Sequence, residues 1–172
     1  ADGLRAIMVG IDLAVSEKES ADCTAMVVGY VYGIAKSTKI YNEEKPLNKR
    51  MGFPEQVEAI KNLVAALKLR HHRVKIYVED VGYQKALIQL LEAQSYDVEG
   101  VPPGRSDKAT RLQYTTPFIK EGRVLFPSNG CEELVGQLTG FGKESHDDLA
   151  DAFAILVLKA IETNPGGGLI FA

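Results

Sequence analysis

The pattern of apolar and polar residues begins with two long apolar runs on either side of a polar segment. RAIMVGIDLAV (5–15) and TAMVVGYVYGIA (24–35) flank SEKESADC, and this arrangement predicts a β-hairpin of two buried strands. STKIYNEE predicts a third, shorter strand beside them. The next segment, KPLNKRMGF, has the composition of a loop.

Apolar residues then recur at helical spacing. A helix is predicted from Pro54 to the basic segment LRHHR, because one face of it is apolar at Val57, Ile60, Leu63, Val64 and Leu67. VKIYVED and YDVEGVPP predict a fourth and a fifth strand. Between them, GYQKALIQLLEAQS predicts a second helix with an apolar stripe formed by Ala86, Leu87, Leu90 and Leu91.

The second half of the chain is more helical. SDKATRLQYTTPFIKEG predicts a helix that Ser106 caps and Pro117 breaks. RVLFP predicts a short edge strand, CEELVGQLTGF a short helix, and HDDLADAFAILVLKAIE a long helix whose apolar face comprises Leu149, Ala152, Phe153, Leu156 and Ala160. Residues 1–163 therefore predict one α/β domain, a mixed five-stranded sheet flanked by helices, and residues 164–172 predict a flexible tail.

Composition narrows the class of protein. With 172 residues, 45% of them hydrophobic, the chain can bury an ordinary core. Cys23 and Cys131 stand alone, so neither a disulfide nor a zinc framework is indicated and a reducing, cytoplasmic setting is expected. No apolar run reaches the roughly 18 residues that a membrane span needs, and the start lacks the pattern of a signal peptide, so we expect a soluble protein. A net charge of -3 does not indicate nucleic-acid binding, which would require a local basic patch or bound metal ions.

Two carboxylates interrupt strands that are otherwise apolar. Asp12 lies among Ile11, Leu13 and their apolar neighbours, and Glu79 ends VKIYV in the same way. A carboxylate in such a strand is costly unless it is paired, protonated or bound to a cation. Because polar residues at the carboxyl ends of sheet strands are usual places for function, the two strands predict one site if they are neighbours.

A third acidic group opens the last helix. Asp147 and Asp148 can be explained as a helix cap and a first-turn acid that the helix dipole favours. Asp151 is harder to explain in this way, because it lies three residues after Asp148 on the same face of an apolar helix. Carboxylates that converge from two strands and a helix suit Mg²⁺ or Mn²⁺, and phosphodiester hydrolysis by two ions about 3.5–4 Å apart is the matching chemistry.

These segments resemble a known family. GID in the first strand, VED at the end of the fourth and HDDLADA at the last helix are similar to the nuclease domain of tailed-bacteriophage large terminases, a relative of the RuvC resolvases within the RNase H-like fold. DLAVSEKESADCTAMVV, VEDVGYQKAL and GRSDKATRLQYTTPFIKEGRVLFP extend the resemblance over almost the whole chain. It implies Asp12, Glu79 and Asp148 as catalytic metal ligands, with Asp147 adjacent and Asp151 at a position that RuvC-like enzymes also fill with an acid.

The resemblance also implies a biological setting. Such domains cut concatemeric viral double-stranded DNA during genome packaging in the host bacterial cytoplasm, using two Mg²⁺ or Mn²⁺ ions. Their partners are an ATPase motor domain, the small terminase subunit and the portal. This sequence has no GxxxxGK[ST] motif: GQLTGFGKES has Gln137 and Glu144 at essential positions and is interpreted as a flexible loop, so the motor is expected outside this segment.

Basic residues that could hold DNA occur in three segments. Lys108 and Arg111 fall on one face of a predicted helix, with Arg105 just before it, and the resemblance implies that this helix lies close to the active site. Their alternative interpretation is surface charge with Asp107 as partner. KPLNKR, with Lys45, Lys49 and Arg50, and LRHHR, with Arg70 to Arg73, are weaker candidates, since charged runs are usually solvated faces. His146 could contact phosphate or simply be a polar residue at the helix start.

Three other functions remain open from the sequence. A RuvC-like Holliday-junction resolvase and a transposase or integrase core would use a similar acidic set. A catalytically silent RNase H-like binding module would not need it. The intact acids argue against the silent module, and the combination of DDLADA with DKATR favours a terminase over a transposase.

Overall fold

The computed structural model describes residues 3–13, 23–82, 84–102, 107–140 and 147–163. Within these ranges the strands are β1 (Leu4–Asp12), β2 (Thr24–Tyr32), β3 (Lys39–Asn42), β4 (Leu47–Lys49), β5 (Val74–Glu79), β6 (Val98–Val101) and β7 (Val124–Leu125). The α-helices of the same ranges are α1 (Phe53–Lys68), α2 (Gln84–Ala93), α3 (Lys108–Lys120), α4 (Glu132–Thr139) and α5 (Asp148–Glu162).

The strands form one mixed sheet around β1. In the described part of the chain the sheet has seven strands in the order β6-β5-β1-β2-β3-β7, with β4 pairing to β2 beside this path. β1 is antiparallel to β2 and parallel to β5, which confirms the expected mixed α/β fold class and the N-terminal hairpin, but the sheet has seven strands rather than the five expected. The prediction of a loop for KPLNKRMGF was wrong at Leu47–Lys49, because a strand of three residues is too short to show an alternating pattern.

The two faces of the sheet are covered by different helices. Ile7, Val9 and Ile11 of β1 contact the core formed with α1 and α2, whereas Met8 belongs to the core formed with α4 and α5. Because side chains alternate along a strand, Asp12 lies on the same face as Met8. Tyr77 of β5 also belongs to the α5 side, which places Glu79 on that face as well.

Helix α5 lies in backbone contact with the sheet at Gly10. A Cβ atom there would overlap the carbonyl oxygen of Ala152 and would lie 2.9 Å from Cβ of Leu156. Gly29 of the neighbouring strand β2 permits the same approach, since a Cβ there would lie 3.1 Å from a methyl group of Leu156. The two glycines therefore let the first turns of α5 rest directly over the end of β1.

Three helix predictions need correction. Asp107, not Ser106, caps α3: its side chain accepts a hydrogen bond from the backbone N–H of Thr110 at 2.7 Å, and Ser106 lies outside the described residues. Pro117 does not break α3, which continues through it to Lys120, so the packed helix tolerates the one hydrogen bond that proline cannot donate. In α2 the buried apolar residues are Leu87, Ile88 and Leu91, whereas Ala86 is exposed and Leu90 is half-buried.

The segment interpreted as a flexible loop is partly helical. Gly136 to Thr139 belong to α4, while residues 141–146 and the expected tail 164–172 lie outside the described residues. Of the helices in the described ranges, none is long and apolar enough to cross a membrane.

We predict that Gly10→Ala destabilises the domain while Gly136→Ala does not. The added methyl group at position 10 meets the backbone of α5, and forcing a group into a packed core costs about 1–3 kcal/mol or more. At Gly136, in a helix, an added Cβ meets nothing within 4 Å, so alanine should stabilise by about 0.5–1 kcal/mol. Urea unfolding of both variants checks this. Equal stabilities would mean that α5 does not rest on Gly10.

Candidate active site

Asp12 and Glu79 end two neighbouring parallel strands. Ile11 of β1 is in register with Val78 of β5, so the next residues of the two strands lie at the same end of the sheet. Both side chains belong to the face that α5 covers, as the alternation of the strands requires. The structure therefore brings together the two carboxylates that the sequence singled out from apolar strands.

The first turn of α5 adds two buried acids over this end of the sheet. Asp148 and Asp151 expose only 2% and 4% of their surface. Oδ2 of Asp148 accepts a hydrogen bond from the backbone N–H of Cys23 at 3.0 Å, which fixes it to the start of β2. Asp151 forms an ion pair with Lys108 of α3, whose Nζ also lies 3.5 Å from Oδ1 of Asp147.

The acids behave as one electrostatic unit. Burial raises the pKa of Asp12 from 3.8 to about 8, and the negative charge of Asp151 adds to this shift. Smaller contributions have opposite signs, since Lys108 lowers this pKa whereas Asp148 and Glu79 raise it. Burial also raises the pKa of Asp151 to about 6 against the opposing charge of Lys108. Without further cations, the cluster therefore favours a proton on Asp12 at neutral pH.

Helix α3 supplies two cations to the acidic cluster. Nη1 of Arg111 lies 2.6 Å from Oε1 of Glu79, and both side chains are largely buried, with exposures of 14% and 15%. Burial lowers the pKa of Lys108, but its hydrogen bond to Asp151 and the charge of that acid outweigh this effect and raise it above the ordinary value. The alternative of a surface pair with Asp107 does not hold, because Lys108 pairs with Asp151 and Arg111 with Glu79, while Asp107 caps α3.

The other predicted DNA-binding residues lie in different places. Lys49 of β4 is exposed and in register with Thr24 of β2. The next residue of β2, Ala25, is in register with Asp12. Lys49 therefore lies toward the acidic end of the sheet, and Arg50 follows it in the chain. Arg105 and His146 lie outside the described residues. The LRHHR segment precedes β5 and lies at the end of that strand opposite to Glu79.

Arg70 of that segment has structural partners. Its guanidinium lies 2.7 Å from Oε2 of Glu43 and also donates a hydrogen bond to the hydroxyl of Tyr30. These contacts join the end of α1 to β2 and the residue after β3. The LRHHR segment is therefore separate from the acidic cluster.

The residues of the cluster fit a hard divalent cation by chemistry and charge. All of the donors are carboxylate oxygens, which Mg²⁺ and Mn²⁺ prefer. Within the described ranges, however, no three acidic, histidine or cysteine side chains are arranged to hold one ion as they stand. Lys108 and Arg111 bind oxygens of Asp151 and Glu79, so a metal ion at these carboxylates would have to displace the internal cations.

Sequence reasoning missed three buried glutamines that bond the strand and helix ends around the acids. Nε2 of Gln84 donates to the carbonyl oxygen of Leu13 at 3.2 Å, directly after Asp12. Nε2 of Gln56 donates to Oγ1 of Thr24 at 2.9 Å, at the start of β2. Gln137 bonds the first turn of α5. A glutamine on the apolar face of a predicted helix was the available signal, but its partners come from distant segments.

Comparison with known protein families identifies the family of this chain. A family model described as Terminase RNaseH-like domain matches residues 9–159. The chain belongs to this family. The match includes the acids of β1, β5 and α5 as well as helix α3, and it confirms the family expected from the sequence motifs. No curated protein matches the chain.

Solved structures of terminase nucleases share the fold. The large terminase nuclease from thermophilic phage G20c with bound magnesium superimposes with a TM-score of 0.64 at 16% identity, over 92% of this chain and 85% of that chain. The same nuclease with bound zinc gives a TM-score of 0.58 at 17% identity, over 90% of this chain and 83% of that chain. At these identities the likeness shows the RNase H-like fold of this terminase-family domain.

We predict that the metal-free domain loses stability as the pH rises. The folded protein keeps a proton on Asp12 up to a pKa of about 8, whereas the unfolded chain loses it near 3.8. Between these values unfolding releases a proton, so the free energy of unfolding falls with increasing pH, and Asp151 adds a smaller fall up to about 6. Thermal unfolding in EDTA between about pH 5 and about pH 8.5 measures the slope.

Asp12→Asn should flatten this slope and stabilise the domain at the alkaline end. The exposed Asp97, between α2 and β6, provides the matched control, and Asp97→Asn should retain the full slope. If Asp12→Asn keeps the wild-type slope, Asp12 is ionised throughout this range.

Proposed function

We propose that this terminase RNaseH-like domain is a metal-dependent endonuclease that cuts double-stranded DNA. One observation carries the proposal: carboxylates from β1, β5 and α5 share one face at one end of the sheet, where burial and mutual repulsion raise the pKa of Asp12 to about 8. A fold gains no stability from such an arrangement of acids unless cations bind there. An anionic site that attracts divalent cations suits the cleavage of a phosphodiester.

The acids have different roles in this proposal. Asp12, Glu79 and Asp148 hold the metal ions, with Asp147 and Asp151 as additional ligands. Two Mg²⁺ or Mn²⁺ ions held by these carboxylates would supply an activated water molecule and a counter-charge for the leaving oxygen. Asp12 must lose its proton to act as a ligand, and the hydrogen bond from Cys23 N–H keeps Asp148 oriented toward the site.

Lys108 and Arg111 provide the contact with DNA. In the metal-free protein they neutralise Asp151 and Glu79. Nε of Arg111 is buried and has no hydrogen-bond acceptor among the described residues, so this guanidinium retains donor capacity for a phosphate oxygen. Once the carboxylates bind metal, both side chains can turn to the DNA backbone. Lys49 and Arg50, and Arg105 before α3, extend this contact without reading sequence.

The family match supports an activity in virus assembly. We propose that the domain cuts concatemeric viral DNA during genome packaging in the host bacterial cytoplasm. Its expected partners are an ATPase motor domain, the small terminase subunit and the portal. The family match supports this setting over a junction resolvase, because the matched family is defined by terminases.

We predict that the domain nicks and cuts plasmid DNA with Mg²⁺ or Mn²⁺, is inactive in EDTA, and shows little cleavage with Ca²⁺, whose looser coordination positions the reactants poorly. Asp12→Ala should abolish cleavage and leave the metal-free melting temperature unchanged or higher, because the folded protein no longer has to keep a proton on this buried acid. Asp97→Ala, at an exposed acid, should cut like the wild type. Undiminished cutting in EDTA would refute a metal-dependent mechanism, and unfolding of Asp12→Ala would make Asp12 a structural residue.

We predict opposite effects of Lys108→Met on metal and on DNA. Removal of the internal cation frees Asp151 and Asp147, so Mn²⁺ should bind more tightly in calorimetry. In a buffer that contains Ca²⁺, the variant should bind DNA more weakly than the wild type does, by the same factor for all sequences. The slope of its DNA affinity against salt concentration should fall by about one phosphate contact. The control is Lys120→Met, at the exposed end of the same helix.

Replacement of Arg111 together with Lys108 should lower the salt dependence of DNA binding further, by about one more contact. An unchanged salt slope in the double variant would leave α3 with a purely internal role. The DNA contact would then have to be sought at Lys45, Lys49 and Arg50.

A further inference from the structure

The first turn of α5 is capped by a residue of another helix. Oε1 of Gln137 in α4 accepts hydrogen bonds from the backbone N–H groups of Leu149 at 2.9 Å and Ala150 at 3.2 Å. These N–H groups have no partner within their own helix, as is general for the first turn. Gln137 is buried, with 7% of its surface exposed, so this cap is part of the α4–α5 contact.

Asp147 occupies the N-cap position but does not cap. Its φ and ψ of -130° and 12° differ from the extended conformation in which N-cap side chains reach back to the helix, and it makes no capping hydrogen bond. Its Oδ1 lies instead 3.5 Å from the ammonium group of Lys108. Aspartate is among the best capping residues, so its absence from the cap requires another acceptor for the helix.

A glutamine has two advantages as that acceptor. Its amide oxygen is neutral, so it adds no negative charge beside the carboxylates of the first turn of α5. It also leaves the dipole of α5 available to stabilise Asp148 and Asp151, which lie in that turn. A carboxylate at position 137 would cap the helix as well but would increase the repulsion within the cluster.

We infer that Gln137 is a positioning residue of the acidic site: it caps α5 in place of Asp147 and thereby leaves the Asp147 carboxylate available to cations. The inference rests on the proposed function insofar as the cation is a metal ion. Without Gln137, the side chain of Asp147 should turn to the N–H groups of Leu149 and Ala150 and leave the site.

A double-mutant cycle with Mn²⁺ calorimetry tests this exchange. Gln137→Met removes the acceptor but keeps the length of the side chain, and it should weaken Mn²⁺ binding about tenfold or more, the range usual for residues behind metal ligands. Asp147→Asn should weaken it similarly. The double variant should bind no more weakly than Asp147→Asn alone, because the carboxylate has already been lost. Losses that multiply, or an unchanged affinity of Gln137→Met, would overturn the inference.

Two further variants separate positioning from packing. Gln137→Glu retains an acceptor oxygen and should recover most of the affinity lost in Gln137→Met. Leu134→Ala removes a fully buried side chain from the same helix and should destabilise the domain without weakening Mn²⁺ binding. If Leu134→Ala weakens Mn²⁺ binding as much as Gln137→Met at an equal loss of melting temperature, loosened packing of α4 explains the effect and Gln137 has no positioning role.

A readout without metal keeps the inference distinct from the proposed function. Amide hydrogen exchange at Leu149 and Ala150 should be unchanged in Asp147→Ala, slightly faster in Gln137→Met, and much faster in the double variant, which has no cap. Exchange that accelerates fully in Asp147→Ala alone would mean that Asp147 is the cap, which overturns the inference. If the variants show this exchange pattern but the wild type binds no Mn²⁺, the proposed function fails while the capping role stands.

Discussion

Repulsion among carboxylates at one end of the sheet is the constraint on which the surrounding structure depends. α5 rests on Gly10, so its first-turn acids come down over the end of β1, beside Asp12 and Glu79. Burial of these groups would be prohibitive if all of them were charged and unpaired. The fold meets this cost with Lys108 and Arg111 of α3 and with a raised pKa at Asp12, and this balance makes the site receptive to cations.

The three buried glutamines around the acids bond neighbouring backbone or hydroxyl groups rather than the carboxylates themselves. Gln84 bonds the carbonyl after Asp12, Gln56 bonds the start of β2, and Gln137 bonds the start of α5. Each amide joins two different elements, over 71 residues for Gln84 and 12 for Gln137. Because a neutral amide adds no charge to the cluster, these contacts can hold the strand and helix ends in place without altering the electrostatic balance of the site.

Local patterns predicted most of the elements because burial leaves a periodic trace. The apolar runs of β1 and β2 and the helical spacing in α1 and α5 were sufficient, and so was the cost of a carboxylate inside an apolar strand, which singled out Asp12 and Glu79. The predictions of elements were wrong where a segment is too short to show a period or where two local rules conflict. β4 has three residues, α3 continues through Pro117, and α3 is capped by Asp107, whose neighbour Ser106 is an equally good capping residue type.

The sequence by itself determined the fold class, the family and the acids that could form a site, because hydrophobic periodicity and motif residues are properties of single segments. Only the tertiary structure decided which side chains pair with each other. Three pairings follow from the packing of separate elements: Lys108 with Asp151, Arg111 with Glu79, and Gln137 rather than Asp147 as the cap of α5. A charge or an amide on a helix face shows that a partner is needed, but the choice of partner depends on distances that arise only when the helices meet.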